Sequence, residues 1–320
     1  MTLSDVRPMS IGEILDRAVS TYVRRFVPLF VILAITYVPV AVIELLALPG
    51  FSRVGEEFAE LNRLPPADAV DRNRVMMQIF AHANLGGFFT AFLLAPLVLN
   101  ALARNAIVTF TDAVLSDAPI TIRAAYRASF ARWLPQIVAT IGFWIVTLVV
   151  LGAILFMIVI IAVVAALAFG ARYAGNTAGG IASLIILIPA FAIYLVVFAM
   201  FNVGWEMTSV SVALEDPNPF RAIGIGLRRA FDRAVRKRTI GVALAYVAVE
   251  AIGTLALLSV SALLAQFTHI DVLRDIVSAL ANILVSGVLA VFIVVYVRDV
   301  RLRREGRDLL DAVRDVPPLA

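Results

Sequence analysis

Residues 134–169 read LPQIVATIGFWIVTLVVLGAILFMIVIIAVVAALAF and contain no charged side chain. A helix crosses the roughly 30 Å hydrocarbon layer of a bilayer with about 20 apolar residues, whereas this run of about 36 residues would extend about 54 Å. Within residues 141–169, where a loop between two spans would have to lie, only Gly142 and Gly152 could break the helix. We therefore expect one span that tilts, breaks or projects beyond the membrane.

The composition of the whole chain places it in the same class. The 320 residues are 62% hydrophobic and 16% charged, and the mean hydropathy is +0.95. Soluble domains are about 45–50% apolar and about 25% charged. A compact soluble protein of this size would lack the polar surface that it needs. The composition therefore indicates an integral membrane protein.

Five other apolar stretches are bounded by charged residues, proline or glycine, which is typical of transmembrane helices. The sequence thus predicts an all-α fold, a polytopic membrane helical bundle of about six transmembrane helices. The predicted spans are residues 27–48, 85–103, 134–169, 181–206, 239–267 and 276–297.

Basic residues are distributed unevenly about these spans, and Lys237 is the only lysine. One side of the six-span arrangement holds about 21 basic residues and the other about 6, so the positive-inside rule places both termini in the cytoplasm. We expect the bacterial inner membrane, with the first span directing insertion because residues 1–26 do not resemble a cleavable signal peptide. Membrane topology and anionic lipids explain the basic residues, so we expect no nucleic-acid partner.

A basic amphipathic helix followed by a hairpin of two spans recurs three times. Residues 25–28, RFVP, resemble residues 132–135, RWLP, at the junctions of the first two units; Asn218 and Pro219 are suited to open the third amphipathic helix. We divide the chain into one membrane domain and a charged cytoplasmic tail. The domain is residues 1–297, its repeats are residues 8–115, 116–214 and 215–297, and the tail is residues 298–320.

Basic side chains on and beside these amphipathic helices are candidates for binding anionic lipid headgroups, because such helices lie in the membrane interface. An equally compatible interpretation is that the helices only set the topology and pack under the bundle. The candidates are Arg17, Arg24, Arg25, Arg123, Arg127, Arg132, Arg221, Arg228, Arg229, Arg233, Arg236, Lys237 and Arg238.

Three short motifs carry a resemblance to a known family. Residues 7–16 read RPMSIGEILD, residues 212–216 read VALED before LRRA at 227–230, and residues 296–306 read YVRDVRLRREG. They resemble a bacterial membrane domain that occurs alone or fused ahead of glycerophosphodiester phosphodiesterase catalytic domains. The resemblance implies a multi-span helical domain of poorly defined biochemical role. Because about 20 residues follow the last predicted span, we expect a stand-alone member without the catalytic domain and without phosphodiesterase activity.

Groups for metal or nucleophilic chemistry are scarce. The chain has no cysteine, and its two histidines, His82 and His269, lie far apart in sequence at predicted outer ends of spans. We therefore expect no enzymatic activity, no metal and no cofactor. The Gly224-Ile225-Gly226 sequence lies in an amphipathic helix with no strand before it, so it indicates small-residue packing rather than a nucleotide loop.

Polar residues inside the spans are the remaining candidates, because a charge in hydrocarbon costs at least about 2.5–3.5 kcal/mol. Glu250 lies near the predicted midplane with no obvious basic partner at that depth, so we expect it to be protonated, to be hydrogen-bonded to Asn282 or to a backbone carbonyl, or to line a wet cavity. Glu206 has a plausible partner in Arg104, and such a pair is often architectural. Glu44 lies near the outer interface, where an ordinary solvated carboxylate is expected.

These features leave two main functional hypotheses. The first is a non-enzymatic protein that binds or organises lipids or membrane partners, including a homo-oligomer. The alternative is a secondary transporter or channel that uses Glu250, suggested also by the repeated hairpins and by the polar residues Asn100, Asn202 and Asn282. An intramembrane enzyme acting on lipid is a third and weaker hypothesis, since no cluster of acid, base and nucleophile can be named.

Overall fold

The computed structural model describes residues 9–63, 69–82, 93–170, 177–267 and 271–314, and within these ranges it contains nine helices and no strand. Six of the helices (α2, α4, α5, α6, α8 and α9) are long and apolar enough to cross a membrane, which confirms the predicted all-α polytopic bundle. The helices are α1 (Ile11–Arg24), α2 (Phe26–Arg63), α3 (Ala69–His82), α4 (Ala95–Leu115), α5 (Ile122–Gly170), α6 (Thr177–Leu214), α7 (Pro219–Phe231), α8 (Arg236–Phe267) and α9 (Asp271–Arg314).

The second span continues past residue 103, where it was expected to end. Helix α4 begins at Ala95 and continues to Leu115, so Arg104 lies inside the helix rather than at its end. The positive charge of Arg104 interrupts the apolar pattern of the sequence. In the bundle, however, Glu206 lies beside it, and a paired charge does not require the helix to end.

Helix α5 joins two elements that the sequence suggested were separate. Its 49 residues include the second amphipathic helix, Pro135 and the long apolar run in one unbroken helix. A proline inside a helix costs about 3 kcal/mol. In hydrocarbon, however, no water is present to bind the backbone N–H and C=O groups, and a single segment can pair them only by being helical. The helix therefore continues through the proline.

Helix α9 is the central helix of the bundle. All residues from 291 to 297 are buried, and Asp299 and Val300 beyond them are buried too. Helices α1, α2, α4, α6 and α8 all contact α9. The helix also continues across the expected boundary at residue 297, so the first part of the expected tail is packed in the bundle.

Helix α1 packs its apolar face onto the bundle. A capping box between Ser10 and Glu13 fixes its start, and Ile14, Ala18 and Tyr22 are buried on one face. These side chains belong to the main apolar core, and α1 contacts α9 more extensively than it contacts α2 or α8.

Helix α7 packs against α6 through a close approach at a glycine. The Asn218 side chain caps the helix by accepting from two backbone N–H groups. A Cβ atom on Gly226 would lie 2.7 Å from the carbonyl oxygen of Gly204 in α6, whereas a Cβ on Gly224 would meet nothing within 4 Å. We call the end of the bundle formed by α1, α7 and residues 298–303 the basic end, and the opposite end the far end.

Candidate functional site

Three carboxylates at the basic end hold the ends of the helices together. The most buried is Asp299, whose side chain is 0% exposed. It pairs with Arg238 at 3.0 Å and with Arg303 at 2.9 Å, and it accepts a 2.8 Å hydrogen bond from the backbone N–H of Met9. One carboxylate therefore joins the residue before α1 to α8 and α9.

Glu215 performs a similar role just after α6. It pairs with Arg229 of α7 at 2.8 Å and also with Arg301 of α9. Burial alone would raise the pKa of Glu215, but the hydrogen bond from Arg229 and the charges of Arg229 and Arg301 hold the pKa below its usual value. The carboxylate is therefore ionised at neutral pH and ties α7 to the central helix.

The third carboxylate, Asp112 of α4, lies 2.9 Å from Nε of Arg298. Nearby, Arg132 of α5 donates to the carbonyl oxygens of Val212 at 3.0 Å and Ala213 at 2.5 Å. Among the candidate headgroup-binding residues, Arg132, Arg229 and Arg238 thus bind protein groups at the basic end, and Arg17 donates to Sδ of Met9 at 3.9 Å.

A large cavity opens at the basic end between α1, the end of α4 and α9. Its volume is about 720 Å³, and we call it the basic cavity. Its walls combine five arginines, one aspartate and several apolar side chains. These residues are Arg17, Arg24, Arg25, Arg298, Arg301 and Asp117, with Val114, Leu115, Val295 and Leu302 among the apolar ones.

The other candidate basic residues lie on the exposed surface and outside this cavity. Arg221 is 3.9 Å from Asp216 and largely exposed, so the pair contributes little. The exposed residues are Arg123, Arg127, Arg221, Arg228, Arg233, Arg236 and Lys237.

A second cluster lies inside the bundle, farther from the basic end. Arg104 Nη1 of α4 lies 2.5 Å from Glu206 Oε1 of α6, which is the pairing expected from the sequence. The Tyr246 hydroxyl of α8 donates to the same carboxylate oxygen at 3.1 Å. The Arg104 guanidinium also lies 5.2 Å from the centre of the Trp205 ring, a cation–π contact.

This cluster forms part of the wall of a cavity of about 170 Å³, which we call the intramembrane cavity. Five helices surround it: α2, α4, α6, α8 and α9. Most of its other polar lining residues lie beyond the ion pair toward the far end. The polar lining residues are Tyr37, Asn100, Arg104, Glu206, Ser209, Tyr246, Glu250, Thr254, Asn282 and Ser286.

Glu250 lies on the face of α8 that is directed toward the bundle, one turn after the buried Tyr246. Its side chain is exposed at the mouth of the intramembrane cavity, and so is that of Asn282. No hydrogen bond joins these two described side chains. Asn202 of α6 instead donates to the carbonyl oxygen of Phe198 at 3.0 Å and does not line the cavity.

Other predicted candidates lie outside the described part of the protein. The side chains of Glu44 and His82 fall outside it, and so does the whole of His269. Within the described residues, no group of three or more histidines or carboxylates is arranged to hold a metal ion.

The role of the carboxylates at the basic end could hardly be predicted from the sequence. Glu215 and Asp299 were noted only as parts of the motifs at residues 212–216 and 296–306 that carried the family resemblance. Asp112 and Tyr246 were not singled out. Apart from Arg303, which follows Asp299 by four residues, their partners are 14 to 290 residues away in the sequence, which no local pattern indicates.

Comparison with known proteins does not point to a function, so a function has to be inferred from the chemistry of the two cavities. No protein-family model matches the sequence, and no curated protein or solved structure matches it significantly.

Proposed function

We propose that this protein is a non-enzymatic multi-pass protein of the bacterial inner membrane that binds anionic phospholipid at its basic end. The basic cavity carries the proposal, because five arginines and one aspartate line a space of about 720 Å³. Ligand pockets span about 300–1,000 Å³, and the planar guanidinium group can bind phosphate oxygens through two hydrogen bonds.

Four of the five arginines of the cavity form two pairs that would act differently on a headgroup. Arg298 and Arg301 of α9 are held by Asp112 and by Glu215, so their positions are fixed before a ligand binds. Arg24 and Arg25 are exposed at the end of α1, and within the described residues neither pairs with a carboxylate. These two arginines supply positive charge that a phosphate group would neutralise.

Apolar side chains beside this pair of arginines favour a lipid over a soluble phosphate. Val23 and Val27 are 66% and 68% exposed, and Phe26 between them is 39% exposed. Exposed apolar residues that alternate with arginine are typical of protein surfaces at headgroup level. A phospholipid could place its phosphate in the cavity and its acyl chains along this surface.

The proposal includes an orientation in which the basic end faces the cytoplasm. The positive-inside rule favours it, and the inner leaflet supplies anionic headgroups there. The resemblance of residues 7–16, 212–216 and 296–306 to a phosphodiesterase-associated membrane domain is part of the same proposal, with lipid binding as the role of the membrane domain.

The proposal can be tested by measuring the affinity for anionic lipid after the two exposed charges of Arg24 and Arg25 are removed. We expect Arg24→Gln with Arg25→Gln to weaken binding of phosphatidylglycerol by about 2 kcal/mol, roughly 30-fold, since each basic residue near a membrane surface contributes about 1 kcal/mol. Binding of a fluorescent phosphatidylglycerol to the protein in phosphatidylcholine nanodiscs would measure it.

Arg63→Gln is the matched control, because Arg63 is an exposed arginine in the last turn of α2 and does not line the basic cavity. We expect this variant to bind phosphatidylglycerol like the unaltered protein. The proposal would be contradicted if the Arg24/Arg25 variant bound phosphatidylglycerol as tightly as the unaltered protein does. It would also be contradicted if the unaltered protein bound phosphatidylcholine as tightly as phosphatidylglycerol.

Transport is a second candidate function, and the intramembrane cavity is the observation that favours it. The cavity brings Glu250 of α8 into one space with the Arg104–Glu206 pair, as expected of a site between transmembrane helices. Transport additionally requires that the cavity bind a solute and open to both sides of the membrane. Solute flux that is lost in Glu250→Gln proteoliposomes would support it.

A further inference from the structure

The charges that line the intramembrane cavity do not balance. Arg104 is the one basic residue among its lining residues, and it pairs with Glu206 at 2.5 Å. Glu250 lines the same space and has no basic partner there. An ionised Glu250 therefore gives the cavity a net charge of about −1, which is costly in a low-dielectric environment.

The cavity also contains a hydrogen-bond acceptor without a partner. Asn100 Oδ1 is buried and accepts no hydrogen bond from the described residues. Asn100 precedes Arg104 by four residues on α4, and Glu250 follows Tyr246 by four residues on α8. Because α4 ends at the basic end and α8 begins there, both residues lie about one turn, or 5.4 Å, farther toward the far end than the ion pair.

We infer that the intramembrane cavity binds one small monovalent cation, Na⁺ or a primary ammonium group, with the Glu250 carboxylate and Asn100 Oδ1 as ligands. A single positive charge neutralises the net negative charge of the cavity, and both Na⁺ and a primary ammonium group bind to oxygen ligands. Thr254, Ser286 and Asn282 supply further oxygens along the same walls.

The size of the cavity limits the cation to a small one. A volume of about 170 Å³ holds about five water molecules at about 30 Å³ each. Helices α8 and α9 also approach closely beside Glu250, since a Cβ atom on Gly253 would lie 2.6 Å from Val285 Cγ2. A small cation therefore fits this space better than a large quaternary ammonium ion, and anions are disfavoured by the charge.

Trp205 provides a reporter for the experiment, because the Arg104 guanidinium lies over its ring. The chain has three tryptophans, so Trp133→Phe with Trp144→Phe leaves Trp205 as the only one. The emission of this protein in nanodiscs is titrated with NaCl or methylammonium chloride at pH 8, and choline chloride keeps the ionic strength constant. We expect a saturable change with Na⁺ or methylammonium and none with tetraethylammonium.

Glu250→Gln in the same background should weaken cation binding at least tenfold, and Glu60→Gln, at an exposed carboxylate of α2, should not change it. Asn100→Ala is a second variant for which we expect several-fold weaker binding, and it serves as the test if Glu250→Gln does not fold. Unchanged affinity in the folded variants would overturn the inference. An emission change with pH that saturating NaCl leaves unchanged would also overturn it, because a proton and not a cation would then neutralise Glu250.

The inference is independent of lipid binding at the basic end. The Arg24/Arg25 variant should retain its response to cations, and Glu250→Gln should retain its affinity for phosphatidylglycerol. Each proposal can therefore fail while the other stands.

Discussion

Glu215 illustrates how single residues stabilise the basic end. Its carboxylate lies where the chain passes from α6 to α7, and it binds arginines of α7 and α9 at once. Arg229, one of these partners, is itself 11% exposed and also donates to Ser211. Removing the carboxylate would leave the Arg229 guanidinium largely buried without an ionic partner, which is destabilising.

The lowered pKa of Glu215 predicts how stability depends on pH. A carboxylate whose pKa is lower in the folded protein contributes stability above the unfolded pKa of about 4.3. That contribution is lost as the pH falls through the folded pKa. We expect Glu215→Gln to melt at a lower temperature than the unaltered protein at pH 7, and the difference to shrink as the pH falls below about 4.3.

Thermal denaturation followed by circular dichroism in a non-ionic detergent would measure this difference between pH 7 and pH 3. A difference that stays constant over the whole range would mean that ionisation of Glu215 does not contribute to stability.

At the residue scale, the sequence identified Arg104 and Glu206 as partners because charges are rare in spans and each needs a counter-charge. It did not identify Asp299, which looked like an ordinary residue of a charged tail. Its burial results from α1 and α8 folding against α9, and its bond to the Met9 backbone spans 290 residues of sequence. Local composition contains no information about such contacts.

Among the helices, the pairing of α6 with α7 depends on one of two neighbouring glycines. We expect Gly226→Ala to destabilise the protein by about 1–3 kcal/mol, because its Cβ would overlap the α6 backbone at Gly204 and Thr208. Gly224→Ala is the matched control, since its Cβ meets nothing within 4 Å. We expect this change to be neutral or to stabilise by up to about 1 kcal/mol, because alanine favours helix.

The free energy of unfolding of the two variants can be compared by titration with sodium dodecyl sulfate in mixed micelles. Equal effects of the two substitutions would show that α7 does not pack closely on α6.

Hydropathy predicted the helices better than it predicted their bounds. Helix α5 is identified by its apolar run, but its true start at Ile122 lies in amphipathic sequence that looked like a separate element. Helix α4 extends beyond Arg104 because a residue of another helix neutralises the charge. Ends of helices that depend on contacts between helices cannot be derived from one segment of sequence.

For the whole molecule, the absence of cysteine makes the orientation straightforward to test. Single cysteines can be introduced at Arg233, exposed just after α7, and at Arg74, exposed on α3. With the basic end in the cytoplasm, a membrane-impermeant maleimide should label Arg74→Cys in intact spheroplasts and Arg233→Cys only after lysis.

Labelling of Arg233→Cys in intact spheroplasts would reverse the proposed orientation. It would also place the basic cavity on the side of the membrane where anionic headgroups are not concentrated by the inner leaflet, and lipid binding there would lose its main support.

The central position of α9 has a consequence for biogenesis. Of the nine described helices, α9 is synthesised last, yet α1, α2, α4, α6 and α8 all pack against it. Asp112, Glu215 and Arg238 therefore enter the membrane system before their partners on α9 have been synthesised. The earlier helices contact one another without α9, but α1 has its main packing surface on α9, so completion of the basic end must follow translation of that helix.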